Sequence, residues 1–214
     1  MFHVQSMGAE MTYSVQGHIL RSNGHAVPFV ATPNQGPMGS VRPLYLIMHY
    51  TAGMTAAGAI NWLANPQAQA SAHLVIDRNG KVTQMVAFNR RAWHAGISKW
   101  QDLEPMNPYS IGIEMANAGK LKKVGGNWQN WAGNVVPAAE VEETTHKHES
   151  VPAGWHTYPV AQIEAALEVA LALHAIYRFL DVLGHEDISR GRKVDPGPAF
   201  PLASFASKVL GRNV

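Results

Sequence analysis

Leu44-Tyr45-Leu46-Ile47-Met48-His49 is a continuous apolar run that ends in an imidazole. Pro43 precedes it and Thr51-Ala52-Gly53 closes it, so turn-forming residues bound it on both sides. Its length and flanks predict a buried central strand. Outward from this strand, Thr55 is placed to cap a helix through about Leu63, with Ala56, Ala59, Ile60 and Leu63 on one face. Asn65-Pro66 would stop it. Ala72-His73-Leu74-Val75-Ile76 and Lys81-Val82-Thr83-Gln84-Met85-Val86 flank Asp77-Arg78-Asn79-Gly80. The Asn-Gly pair tolerates positive φ, so this stretch reads as a β-hairpin. Ser110-Ile111-Gly112-Ile113-Glu114-Met115 predicts a further strand.

Thr157 is placed to cap a helix from about Tyr158 to Leu183, with Pro159 tolerated in its first turn. Ile163, Leu167, Ala170, Leu173 and Tyr177 share a stripe, and Gly184 is the expected stop. Leu202 to Leu210 predicts a last short helix. Residues 1–40 read as an irregular N-terminal segment, with Ala26 to Ala31 as a short edge strand. Residues 119–156 read as a long loop or insertion near a cleft; they are polar and Gly-rich, with Trp128, Trp131, Trp155 and three histidines. Connections this long are usually functional or disordered, and the tryptophans argue against disorder. Strands and helices interleave, and the hairpin breaks strict βαβ order. The expected fold is a single α/β domain over 1–214, with a mixed central β-sheet flanked by helices.

The chain has 214 residues, 46% of them hydrophobic, enough for one sizeable core. Lys and Arg number 17 against 15 Asp and Glu, and the basic residues are scattered, so no nucleic-acid partner is expected. No cysteine is present, which removes disulfides, thiolate nucleophiles and thiolate metal ligands together. Any metal site must come from His, Asp and Glu, and the 11 histidines leave that open. Met1-Phe2-His3-Val4-Gln5 lacks the basic-then-apolar order of a signal peptide, so a chain made in the cytoplasm is expected. Gln162, Glu164, Glu168, His174, Arg178 and Asp181 interrupt Val160–Leu183, whereas a membrane span needs about 20 mostly apolar residues. No membrane span is expected.

Five residues suggest chemistry. His49 ends the first strand, where an imidazole can face a cleft, although a structural histidine is the commoner case. The loop from Gly184 to Pro198 carries His185, Lys193 and Asp195 in turn-rich sequence, and such loops often bear function. Two imidazoles and one carboxylate make three protein ligands, which leaves a fourth tetrahedral position for water in a catalytic zinc site. Zinc lowers the pKa of such a water toward about 7. Glu114, at the end of an apolar strand, is a candidate acid/base; the alternative is an outward-facing strand residue. Lys193 lies two residues before Asp195 and shares its face in an extended segment. It is a candidate for oxyanion stabilisation, against the ordinary case of a solvated lysine.

Six segments in order carry a resemblance. They are Ile47-Met48-His49-Tyr50-Thr51-Ala52-Gly53, Ser71 to Gly80, Ala92-Trp93-His94-Ala95-Gly96, Ser110 to Glu114, Gly184-His185-Glu186-Asp187-Ile188, and Lys193-Val194-Asp195-Pro196-Gly197-Pro198. Together they resemble the zinc-dependent N-acetylmuramoyl-L-alanine amidases of the type 2 family, which includes the peptidoglycan recognition proteins. The resemblance implies one Zn2+ at His49, His185 and Asp195, with Glu114 and Lys193 as catalytic residues. It implies hydrolysis of the amide between the muramic acid lactyl group and L-alanine, in peptidoglycan or a muropeptide. Some members carry a catalytic tyrosine before the hairpin; Ala72 stands in that place here. The alternative is a non-catalytic peptidoglycan-binding module of the same fold, but such members lack a zinc ligand. Within the enzyme reading, a lytic enzyme released onto the wall competes with a cytoplasmic enzyme recycling muropeptides. Trp93 and His94 are expected to line the cleft, and Trp155, with Trp128 and Trp131, either forms an apolar wall for substrate or anchors the long loop. His73 is expected to pack under the sheet. His146-Lys147-His148 reads as a solvated loop.

Overall fold

The computed structural model describes residues 12–212. The N-terminal part of the chain forms β1 (Tyr13–Gln16), β2 (Ile19–Ser22) and β3 (His25–Ala26), a three-stranded antiparallel sheet, then β4 (Gln35–Met38). The expectation of an irregular 1–40 segment is therefore corrected over 12–40, while residues 1–11 lie outside the described residues. The turns fall at Gly17-His18 and Asn23-Gly24, all four at positive φ, which is hairpin chemistry spread over strands too short to show alternation. Buried Gln84 ties this sheet to the core: its side chain accepts from Leu20 N and donates to the carbonyls of His18 and Val86. The edge expected over Ala26 to Ala31 is realised in part, by β3 and by Phe29, which bridges to Gln84.

The predicted first strand is β5 (Tyr45–Tyr50), followed by α1 (Ala56–Leu63), whose cap Thr55 accepts from Gly58 N as expected. The hairpin forms β6 (Leu74–Ile76) and β7 (Val82–Gln84). After β8 (Arg90–Ala92), which pairs with β4, comes β9 (Ser110–Met115). Residues 120–156 then build β10 (Lys120–Val124), β11 (Asn127–Gln129), β12 (Val135–Val136), β13 (Val141–Thr144) and β14 (Ala153–His156). These five form an antiparallel sheet in the order β12-β11-β10-β14-β13. The long loop expected over 119–156 is thus corrected to a folded insert. Its strands bury at most one residue each apart from β14, so the sequence carries little periodic signal.

The long helix, α2 (Val160–Tyr177), ends six residues before the expected Leu183. Arg178 takes the left-handed conformation at φ 52 and caps it. A non-glycine at such a φ is uncommon, so no Gly marks the stop. The chain turns into β15 (Asp181–Gly184), then α3 (His185–Ile188), and ends with α4 (Leu202–Leu210). By length and composition α2 could cross a membrane. In this fold Val169, Ala170 and Leu173 pack on the sheet, Gln162 donates to the carbonyls of Ile76 and Ala116, and Glu164 and Glu168 face outward.

The central sheet has the order β15-β5-β9-β6-β7, parallel except for the β6–β7 hairpin. Leu46, Met48, Ile111, Ile113 and Leu74 point to one face, under α2 and α4. Tyr45 and Ile47 point to the other, with Ala95, Met106 and Leu183, while Val75 packs there against Ala56 and Leu63 of α1. Burial on both faces is why the deciding run is apolar without alternation. The mixed α/β single domain expected from sequence is the observed class.

Candidate metal centre and cleft

Parallel pairing brings side chains together that are far apart in sequence. His49 is registered against Glu114, and paired residues on adjacent strands share a face. Gly184 of β15 pairs with Met48, so His185 follows at the same end of the sheet as His49. Crevices at the carboxyl ends of parallel strands are the usual ligand sites of such sheets. The loop after α3 then returns Asp195 to this end, with Glu186 N donating to the Asp195 carbonyl at 2.9 Å.

His49 Nδ1, His185 Nδ1 and Asp195 Oδ2 each lie 3.0 Å from the other two. All three residues are buried. The other ring nitrogens fix the tautomers. His185 Nε2 contacts the Ala95 carbonyl at 3.1 Å, so it must carry a proton. Ser110 Oγ donates to Met106 O, so His94 Nε2 must donate to Ser110 Oγ. That leaves His94 Nδ1 to accept from His49 Nε2, 3.0 Å away. Both Nδ1 atoms then hold lone pairs, and three acceptors face one another.

An extra proton on His49 does not resolve this crowding at neutral pH. Burial, then the His185 charge, pushes His49 down to about 4, with Asp195 opposing. Burial also works against ionisation of Asp195, but its contacts with His185 and His49 outweigh it and hold the carboxyl below the usual carboxylate range. A cation among the three acceptors removes the conflict. Two imidazoles and a carboxylate, with no thiolate, fit zinc and leave a tetrahedral position open.

Around these atoms lies a cleft of about 440 Å³, lined in part by Glu114, Lys193, Trp93, Trp62 and Tyr50. Glu114 Oε2 is buried and has no hydrogen-bond partner among the described residues. Burial, then the Asp195 charge, pushes its carboxyl up to about 8, against the pull of Lys193. A carboxyl near that value can both take and give a proton close to neutrality. A larger hollow of about 540 Å³ runs along Ile97–Gln101 and Asp187–Arg190. Arg192 borders both and donates to the carbonyls of Ala95 and Ile97. The larger hollow holds none of the converging atoms, so the chemistry belongs to the smaller cleft.

His94 is expected from sequence to line the cleft, and it does so only with its ring, since both nitrogens are engaged by His49 and Ser110. A Cβ at Gly112 would lie 2.5 Å from the His94 ring, so the glycine of Ile-Gly-Ile-Glu seats this imidazole. Asn107 Oδ1 accepts from both His94 N and Ala95 N and holds the strip that orients both candidate ligand histidines. Burial lowers His73 to about 4; it packs beneath, donating to Arg90 O. Trp93 does line the cleft.

Trp155 does not. It is 1% exposed, its Nε1 donates to Thr144 O and its ring packs on Gly197, so the substrate-wall expectation fails for it. Trp62, which the sequence reading passed over, lines the cleft at 55% exposure on the outer side of α1. An exposed tryptophan on an amphipathic helix was the available signal. Trp131, 80% exposed, donates its Nε1 to the carbonyl of Ala52 at the cleft lip. His146, expected in a solvated loop, is buried at 1%.

The N-acetylmuramoyl-L-alanine amidase family, Amidase_2, matches residues 39–198. The chain belongs to this family. The match contains all five polar site residues. The 1,6-anhydro-N-acetylmuramyl-L-alanine amidase AmpD of Escherichia coli is 34% identical over 137 residues, covering 63% of this chain and 56% of that protein. The N-acetylmuramoyl-L-alanine amidase AmiD of E. coli is 31% identical over 189 residues, covering 84% of this chain and 58% of that protein. The matched region is thus a little over half the length of these amidases. Among solved structures, E. coli AmiD in complex with anhydro-N-acetylmuramic acid-L-Ala-D-gamma-Glu-L-Lys aligns with a TM-score of 0.60 at 26% identity, over 96% of this chain and 68% of that one. The catalytic domain of XlyA shares the fold, with a TM-score of 0.53 at 21% identity over 86% of this chain and 99% of that one.

Proposed function

We propose that this chain is a zinc-dependent N-acetylmuramoyl-L-alanine amidase, working as one domain over 1–214. Its substrate is peptidoglycan or a muropeptide cut from it. One observation carries the reading: three buried acceptors converge at 3.0 Å in a cleft that also holds Glu114 and Lys193. A bound zinc ion would be held by His49, His185 and Asp195, and would supply Lewis-acid polarisation of the lactyl carbonyl and a water of lowered pKa.

The rest falls to the protein. Glu114 takes the proton of the attacking water and passes it to the alanine nitrogen as the C–N bond breaks, leaving a lactyl carboxylate and a free amine. Its unpaired Oε2 and its raised pKa support that dual use. Lys193 opposes the charge that develops on the carbonyl oxygen. His94 and the Ala95 carbonyl keep both histidines in the tautomer that leaves Nδ1 free. Trp62 and Trp93 supply apolar lining for the sugar or the stem peptide.

The test is release of alanine amino groups from purified peptidoglycan and from a soluble anhydro-muropeptide, with and without chelator, followed by zinc add-back. Release that stops with chelator and returns with zinc is expected, and the preferred substrate then separates wall lysis from muropeptide recycling. No zinc uptake and no release from either substrate would favour a binding module over an enzyme.

A further inference from the structure

Glu186 is a carboxylate beside the centre that the mechanism above does not use. It is 4% exposed, and it follows His185 directly. A buried carboxylate persists where its oxygens are met by donors. Glu186 Oε2 accepts from His146 Nε2 at 2.7 Å and from Gly197 N at 3.2 Å. Its Oε1 lies 2.8 Å from Lys147 Nζ. Its backbone N–H donates to the Asp195 carbonyl. Glu186 therefore joins the two segments that carry His185 and Asp195.

Both side-chain donors come from the insert. His146 Nδ1 accepts from His148 N, so its Nε2 carries the proton given to Glu186. Its ring stacks on Trp155 at 5.6 Å, and Trp155 in turn packs on Gly197. Lys147 reaches on to Asp187 Oδ1 at 2.7 Å, while Asp187 Oδ2 takes the N–H of Gly184. The insert thus grips the chain directly after His185, at Glu186 and Asp187, and again just after Asp195, at Gly197.

We propose that His146 and Lys147, acting through Glu186, are positioning residues for the metal centre: the insert holds His185 and Asp195 at ligating distance. This rests on the metal reading above. Partners behind metal ligands typically change affinity by about 10–100-fold when removed.

The test uses His146→Phe, which keeps an aromatic ring for the stack on Trp155 and deletes the donor. Lys147→Met is a second variant at a partly exposed side chain, with Lys147→Arg as its rescue. Glu140→Gln is the control; it touches Arg78 and His156 just before β13 begins, whereas His146 and Lys147 follow the end of that strand. Zinc affinity by chelator competition, the visible spectrum of the cobalt-substituted protein, and melting of the metal-free form are read for each. His146→Phe is expected to bind zinc about 10–100-fold more weakly and to alter the cobalt spectrum. Lys147→Met should shift both in the same direction by less, and Lys147→Arg should restore them. Glu140→Gln should leave both as in the wild type. Unchanged affinity and spectrum in His146→Phe and Lys147→Met, whatever happens to melting, would overturn the positioning role alone. A wild-type protein that takes up no zinc would overturn the metal reading and this proposal together.

Discussion

The central sheet and the insert sheet each have five strands, yet their interiors differ sharply. Strands β5 and β9 bury five of six residues each, packed from both faces. Strands β10 to β13 bury one residue or none, and the insert has only a small cluster of its own at Ala118, Leu121 and Val136. The insert is held instead by particular contacts. Trp128 covers Gly154 with Lys123 above it, Trp155 is sealed under Gly197, and Arg78 reaches Glu140 and the Thr157 carbonyl. A sheet with a two-faced core sets the positions of its residues by packing. A sheet without one takes its place from its attachments. The three candidate metal ligands lie on or beside the first kind, and the second kind braces them.

That contrast can be broken at several points. The largest effect is expected from His185→Ala at the end of the central sheet: bound zinc measured by metal analysis and amidase activity should both fall to background. Retained zinc would mean that the three acceptors are not the site.

Glu114→Gln should come next, with kcat lower by about 10²–10⁴-fold and zinc still bound. The same variant reports on burial within the central sheet. In the metal-free protein Glu114 is held near 8, against an ordinary value of 4.5. The stability contributed by that raised value is complete below about pH 4.5 and is lost as pH rises through about 8. The amide cannot ionise, so the variant should gain on the wild type by up to about 4 kcal/mol between pH 5 and 9 in denaturant titrations. A gap that stays constant with pH would show that Glu114 is not held protonated.

Gly112→Ala tests whether the site depends on ring seating within the central sheet. The new methyl must displace His94, and the tautomer of His49 then loses its fixed partner. Zinc affinity should fall by about 10–100-fold, with kcat at saturating zinc changing less. Gly154→Ala makes the equivalent change in the insert, where a Cβ would lie 2.6 Å from the Trp128 ring. It should lower stability by about 1–3 kcal/mol in thermal melts and leave kcat close to that of the wild type. If it cost as much activity as Gly112→Ala, the two sheets would not differ in the way their interiors imply.

Much of the centre was legible before any fold was known. His49 and Glu114 close strongly patterned strands, while His185, Lys193 and Asp195 sit in one turn-rich loop, so pattern and residue type located all five. Strand β15 was not legible, because the break before it rests on Arg178 at positive φ, a conformation that composition does not announce. The insert was not legible either: strands such as Lys120–Val124 leave four of five residues exposed and carry no alternation. Trp155 has the composition of a sugar platform, and only its burial under Gly197 shows it to be an anchor.

By itself the sequence determined the buried strands β5 and β9, the hairpin at Asn79-Gly80 and the kinds of group available for chemistry. Apolar period, turn residues and donor types are local properties, and local sequence is enough to state them. The tertiary structure decided what those groups do to one another. The 3.0 Å convergence of His49, His185 and Asp195 depends on the register of two parallel strands, β15 and β5, and on a returning loop. The raised pKa of Glu114 depends on burial beside Asp195, and the grip of His146 on Glu186 depends on how the insert docks. Each is a relation between residues distant in the chain, which packing alone brings within range.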